Sequence, residues 1–241
     1  MNDVGLDLWI GMFSYGHKMD SFYLYCSVFT IETRCPLYGE PDTGTTVGKF
    51  SLNPGGVNMS MKAGVGSAKI ELGGGVIVTA LTVVNAMGNI IGEDGSIIAG
   101  NRGGSNDLKY RTFEGFSNYI TEKSNTTISI VGVNVALNSQ EDLRRIAEIA
   151  THGQVRAINP VNTSLDGDTI FVFSTEELTP HLSHIGAAIE DGDWYKLYVD
   201  VIAQAAARAV QESIYDACYS AESIQYKYAY EGEIPSAKAD S

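Results

Sequence analysis

Three consecutive glycines, Gly73 to Gly75, separate two runs rich in β-branched residues, Val65 to Leu72 (VGSAKIEL) and Val76 to Asn85 (VIVTALTVVN). Each run is long enough for a strand, and glycine lets a chain reverse at no steric cost. The chain is thereby committed to an antiparallel hairpin, whose apolar face needs a second layer to cover it. A further turn signal, Gly92-Glu93-Asp94-Gly95 between Ile90-Ile91 and Ile97-Ile98, predicts another pair of short strands. Thr169 to Ser174 (TIFVFS) reads as a buried strand.

The helices that could supply the cover are marked by periodicity. Ser139 is placed to cap a helix reaching Thr151, with Asp142 at the third position and Leu143, Ile146, Ala147 and Ala150 on one face. A second helix, from Trp194 to Ser223, carries Leu197, Val201, Ala205, Val210, Ile214 and Ala217, and its alanines permit close packing on a sheet or another helix. Strands, helix, strand, helix with hairpins make an α+β or layered α/β fold. Residues 100–124 are polar and aperiodic and read as a surface loop or linker. Composition shifts near residue 38. The segment 1–38 is aromatic (Trp9, Phe13, Tyr15, Phe22, Tyr23, Tyr25, Phe29), whereas 39–241 opens Gly-rich and forms the main domain.

Charge and cysteine usage exclude several function classes. The 241 residues carry a net charge of −13. No Lys/Arg cluster offsets this self-repulsion, which argues against nucleic acid or an anionic membrane as partner. The longest apolar-aromatic run, Phe22 to Ile31, is about half a membrane span. The first sixteen residues contain Asp3 and Asp7 and no basic residue, unlike a secretion signal. Three cysteines (Cys26, Cys35, Cys218) without CxxC spacing suggest neither a disulfide framework nor a zinc ribbon. The expected compartment is the reducing cytoplasm.

Several motifs have a plain reading beside a chemical one. GTTVGKF, Gly44 to Phe50, has three residues between its glycines and Phe50 after Lys49, whereas a phosphate loop needs four and a Ser or Thr. A glycine turn carrying one lysine fits better than a nucleotide site. His181 and His184 stand three apart behind Pro180 without a third ligand nearby, so surface or packing roles outweigh a metal site. Asn125-Thr126-Thr127 and Asn162-Thr163-Ser164 match glycosylation acceptors, which carry no weight without secretion. Asp166 and Asp168 lie two apart at the mouth of a strand, and alternation would aim both the same way if the strand began at Asp166; a charged turn is the plain alternative. Asn85 reads as a polar strand end. Ser124 to Thr127 reads as a polar turn entering the core run Ile128 to Val131. Chemically, it puts a Thr hydroxyl at the start of a strand. Were the chain cut before Thr126, the new α-amine, with a pKa near about 8, could act as general base for that hydroxyl without a histidine.

In sequence, order and spacing these residues resemble the DmpA-type aminopeptidase family, with its β-peptidyl aminopeptidases and nylon-oligomer hydrolase. The matching stretches are GTTVGK (44–49), GVGSAKIELGGGVIVTALTVVNAMGNI (64–90), NTTISIVGVNVAL (125–137), DLRRIAEIATHGQVRAINPVNTSLDGDTIFVFST (142–175) and ARAVQESIYDACYSAESI (207–224). The resemblance implies a four-layer αββα sandwich of the N-terminal-nucleophile-hydrolase kind. It implies self-cleavage between Asn125 and Thr126 into two chains that stay together, dividing the 39–241 domain into an α-chain part, 39–125, and a β-chain part, 126–241, with Thr126 as nucleophile for amide hydrolysis. The Asn-Thr junction is closer to the nylon-oligomer hydrolase than to the Gly-Ser junction of the aminopeptidases. By the same resemblance, Asp166 and Asp168 orient the nucleophile and its amine. Asn85 donates to the oxyanion, and Lys49 offsets the carboxylates and lowers the amine pKa. A small peptide or amide is the implied substrate, without cofactor or metal, and the assembly is a homo-oligomer of α/β heterodimers. The family has a longer stretch ahead of GTTVGK, to which residues 1–38 do not align. This chain is therefore expected to be an N-terminally shortened member, and the competing reading is a truncated, inactive remnant that acts as a folded or binding protein.

Overall fold

The computed structural model describes residues 45–49, 59–102, 125–185, 193–226 and 232–237. The expectations for residues 1–38 and for most of the 100–124 loop lie outside the described residues. The glycine triplet forms a single 3₁₀ turn joining β3 (Val65–Glu71) to β4 (Ile77–Asn85), so the hairpin is antiparallel as expected. β4 pairs in turn with β7 (Thr126–Val135), again antiparallel, and β7 pairs in parallel with β9 (Thr169–Leu178). The result is a four-stranded sheet in the order β3-β4-β7-β9.

Two helices pack on one face of this sheet, α1 (Gln140–Ala157) and α2 (Trp194–Tyr219). Strand alternation explains which face is chosen. Along β4, Val78, Ala80, Thr82 and Val84 are buried toward the helices, and along β7 Thr127, Ser129, Val131, Val133 and Val135 do the same. The opposite face leaves Leu81, Ile128 and Ile130 exposed. The core between sheet and helices holds Val78, Val131, Val133, Ile146, Ile202, Val210 and Ile214, all essentially inaccessible to solvent. α2 approaches β3 so closely that a Cβ on Gly66 would lie 2.1 Å from Ser213 O and 2.2 Å from Ala217 N. Buried hydroxyls bind the layers together: Thr82 Oγ1 donates to Ser129 Oγ at 2.9 Å and lies 2.6 Å from Ser213 Oγ of α2.

Smaller elements flank this body. β5 (Asn89–Ile91) pairs with β6 (Ile97–Ala99) across the Gly92–Gly95 turn and with β8 (Ile158–Asn159). β1 (Thr46–Val47) pairs with β2 (Met61–Lys62), and β10 (Ile224–Tyr226) with β11 (Gly232–Ile234).

Three element boundaries differ from those read from sequence. α1 starts at the expected cap: the Ser139 hydroxyl accepts from Asp142 N, and the Asp142 carboxylate accepts from Ser139 N. It runs past Thr151 to Ala157, because Gly153 lets it approach the backbone of α2 and the buried Gln154 donates Nε2 to Thr127 O at 3.3 Å. Tertiary contact thus carries the helix through a stretch whose apolar periodicity has lapsed. α2 stops at Tyr219, short of Ser223, as the chain straightens into β10. β9 continues beyond Ser174 to Leu178, which pairs with Val135 of β7 after a register shift and packs against the core.

The remaining singled-out groups have local partners. His181 Nδ1 lies 2.6 Å from Ser183 Oγ, and His184 Nδ1 lies 3.0 Å from the Tyr198 hydroxyl. Among the described residues, no three His, Cys, Asp or Glu side chains converge as a metal site, and no helix is long and apolar enough to cross a membrane. Cys218 is a free thiol whose complete burial pushes its pKa up to about 12.

Candidate active site

The β4–β7 ladder runs from Val78 opposite Val133 to Asn85 opposite Thr126. The last residue of one strand therefore faces the first of the other. Their neighbours Val84 and Thr127 are fully buried toward the helices, so alternation turns Asn85 and Thr126 to the face directed away from α1 and α2, where both are half-buried.

The Asn85 side chain is anchored by its carbonyl end. Oδ1 accepts from Lys49 Nζ at 2.7 Å and from Thr46 N at 3.2 Å. Both donors require an oxygen, which fixes the orientation of the amide and directs its Nδ2 end away from Lys49. Lys49 is set in place by backbone bonds to the turn after β4, from Gly48 N to Gly88 O at 2.9 Å and from Lys49 N to Met87 O at 2.8 Å. Gly48 has φ 75°, and a Cβ there would lie 2.1 Å from Asn101 N, so this turn admits only glycine. The β1–β2 pair beside it buries Lys62, 1% exposed, whose ammonium donates to Thr45 O at 2.9 Å.

The third component is the loop entering β9. Strand β9 begins at Thr169, after both aspartates, so the carboxylates are set by the turn rather than by strand alternation. Asp166 forms an isolated parallel bridge with Asn125. Its Oδ2 accepts from Thr163 Oγ1 at 2.5 Å and from Thr163 N at 3.3 Å, and its Oδ1 accepts from Met87 N at 3.2 Å. Asp168 accepts from Thr127 N at 2.7 Å and from Asn162 N at 2.9 Å. Burial pushes the Asp168 carboxyl above its ordinary value; the Asn162 bond pulls it down, the Asp166 charge pushes it up, and the Thr127 contacts pull it down, with burial winning. Between the two aspartates, Gly167 N donates to Asn125 O at 2.9 Å and Gly167 O accepts from Thr126 Oγ1 at 2.8 Å.

All six residues singled out in the sequence, Lys49, Asn85, Asn125, Thr126, Asp166 and Asp168, thus belong to one constellation. Lys49 and Asn85 touch each other, Asn85 faces Thr126, and the aspartates reach the residues on either side of Thr126. Sequence reasoning missed Gly167, Met87 and Thr163. Gly167 and Met87 act through backbone groups that leave no signature in residue type. Thr163 reads in the sequence only as part of an acceptor motif, and its three-residue spacing from Asp166 is the signal that points to a side-chain turn.

This arrangement can be set beside known proteins. The family model for peptidase family S58 matches residues 53–230. An uncharacterised aminopeptidase of Mycobacterium leprae is 32% identical over 143 residues, 57% of this chain and 39% of that protein. A 6-aminohexanoate-oligomer endohydrolase of Paenarthrobacter ureafaciens is 30% identical over 149 residues, 54% of this chain and 41% of its own length. A solved β-aminopeptidase of a Burkholderia species aligns with a TM-score of 0.46 at 19% identity, covering 68% of this chain and 44% of that one. The chain spans about two fifths of the length of these curated relatives. With the family model covering well over half of its residues, the chain belongs to peptidase family S58.

Proposed function

We propose that this chain is a self-processing amide hydrolase of the aminopeptidase type, with Thr126 as its nucleophile. Scission of the Asn125–Thr126 bond would give Thr126 a free α-amine, of pKa near about 8, next to its own hydroxyl. The amine takes the hydroxyl proton as Thr126 Oγ1 attacks a substrate carbonyl, then passes it to the leaving amine. The Asn85 Nδ2 group donates to the oxyanion. Lys49, bonded to Oδ1 of the same amide, polarises it and makes that N–H a stronger donor. Asp166 and Asp168 fix the turn that flanks the nucleophile.

The observation that carries this reading is the position of Asn85, opposite Thr126 in the ladder with its carbonyl end held by a lysine. A strand-terminating asparagine with a purely structural role needs no such cation. The relatives, an aminopeptidase and an oligomer endohydrolase, suggest short peptides or amino-acid oligomers as the substrate class. The test is denaturing electrophoresis with N-terminal sequencing of the purified protein. The expected result is a second terminus reading Thr-Thr-Ile-Ser, absent from Thr126→Ala. A wild-type chain that stays intact on prolonged incubation refutes the proposal.

A further inference from the structure

The turn carrying Gly167 holds the 125–126 peptide at both of its reacting atoms. Gly167 N–H donates to Asn125 O, the carbonyl oxygen of the bond proposed to break, at 2.9 Å. Gly167 C=O accepts from Thr126 Oγ1, the hydroxyl proposed to attack that carbonyl, at 2.8 Å. We propose that the Gly167 N–H is the oxyanion donor of the self-cleavage step, a catalytic group distinct from the Asn85 amide. The proposal rests on the self-processing reading above and adds the group that makes the first turnover possible.

The step balances as an acyl shift followed by hydrolysis. Thr126 Oγ1 bonds to the Asn125 carbonyl carbon, and the C=O electron pair moves onto oxygen, where Gly167 N–H meets the growing charge. Collapse breaks the C–N bond; the hydroxyl proton ends on the Thr126 nitrogen, leaving an ester between Asn125 and the Thr126 side chain. Water then cleaves the ester, giving the Asn125 carboxylate and a free Thr126 terminus.

An oxyanion donor is effective when it is fixed before the reaction begins. Gly167 meets this condition. On one side Asp166 is tied by its bridge to Asn125, by Asp166 N to Thr163 O at 3.0 Å and by its carboxylate to Thr163 and Met87; on the other, Asp168 grips Thr127 N and Asn162 N. The glycine is not demanded by space. A Cβ at 167 would lie 3.4 Å from Thr126 Oγ1 and 3.7 Å from Asn125 O, ordinary contact distances. Alanine therefore preserves the donor and provides a control.

The experiment follows cleavage of the full-length precursor by intact-mass spectrometry for wild type, Gly167→Ala and Gly167→Pro. A fourth chain carries glycolate at position 167, which replaces only the N–H by an oxygen. Gly167→Ala is expected to cleave within about tenfold of wild type. Proline and glycolate are expected to slow cleavage about 10²- to 10³-fold, the usual cost of one oxyanion donor. If the proline chain fails to fold, the glycolate chain decides. Glycolate cleavage within threefold of wild type overturns the proposal, as does an alanine variant as slow as glycolate, because the turn's shape rather than its N–H would then control the rate. An uncut wild type refutes the self-processing reading itself, a result separate from either of these.

Discussion

Replacing Asn85 by aspartate separates the two functions assigned to that side chain. The carboxylate still accepts from Lys49 Nζ and Thr46 N, the contacts made at 2.7 and 3.2 Å by the native Oδ1. The substitution even converts a charge–dipole contact into an ion pair. What it removes is the Nδ2–H donor, and it puts an anionic oxygen where the oxyanion must form. Loss of one such donor costs about 2.7–4 kcal/mol of transition-state stabilisation, a fall of about 10²- to 10³-fold in kcat, and like-charge repulsion deepens it. Folding stability should stay within about 1 kcal/mol of wild type, since a half-exposed ion pair contributes little. Asn85→Ala gives the contrasting pattern. It loses the donor and also leaves Lys49 and Thr46 N without that acceptor, at about 1–3 kcal/mol of stability. Self-cleavage by mass spectrometry, hydrolysis of chromogenic amino-acid anilides and urea unfolding, run on both variants, read the two quantities independently. An aspartate variant that hydrolyses within tenfold of wild type would show that the Asn85 amide donates to nothing in the reaction.

Other outcomes follow from neighbouring contacts. Thr126→Ser keeps a hydroxyl and should still yield two bands on a denaturing gel, whereas Thr126→Ala should run as one; two bands from the alanine variant would exclude Thr126 as the attacking group. Burial holds the Asp168 proton more tightly in the folded chain than in the unfolded one, so stability should fall as pH rises from about 3.9 through the raised folded value. Asp168→Asn should lack this fall, and parallel stability–pH curves for the two proteins would contradict the raised carboxyl. Gly66→Ala forces a methyl into the backbone of α2 and should cost about 3 kcal/mol, measurable by urea unfolding; a loss under about 1 kcal/mol would mean that α2 does not press on β3 at Gly66.

The parts of the fold legible in the sequence are those written in short-range pattern. The glycine triplet between β3 and β4, the Ser139–Asp142 cap and the alanine-rich face of α2 are local signals, and each stands where it was read. What sequence alone leaves open is which strand lies beside which. That Asn85 faces Thr126 depends on the chain returning β7 to the side of β4, a pairing across about forty residues that no local motif encodes. The site shows the same division. Lys49 and Lys62 look alike on paper, but one ends on the Asn85 amide and the other on a backbone carbonyl. Asp166 and Asp168 lie in the charged turn that their run also allows, and strand alternation does not aim them, because Thr163 and Asn162 organise that turn before β9 begins. Gly167, whose peptide N–H and C=O bond Asn125 O and Thr126 Oγ1, has no side chain to mark it in the sequence.

The strand order gives a cut at residue 125 an unusual outcome. β3 and β4 precede that position and β7 and β9 follow it, yet β4 and β7 are laced together in the middle of one sheet. α2, which belongs to the later portion, is pressed against β3 and β4 of the earlier one. Two polypeptides produced there would be interleaved rather than adjacent, and neither could leave without dismantling the other. Gel filtration or light scattering in ordinary buffer would record an unchanged particle, and the nick would surface only once urea or detergent had melted the whole.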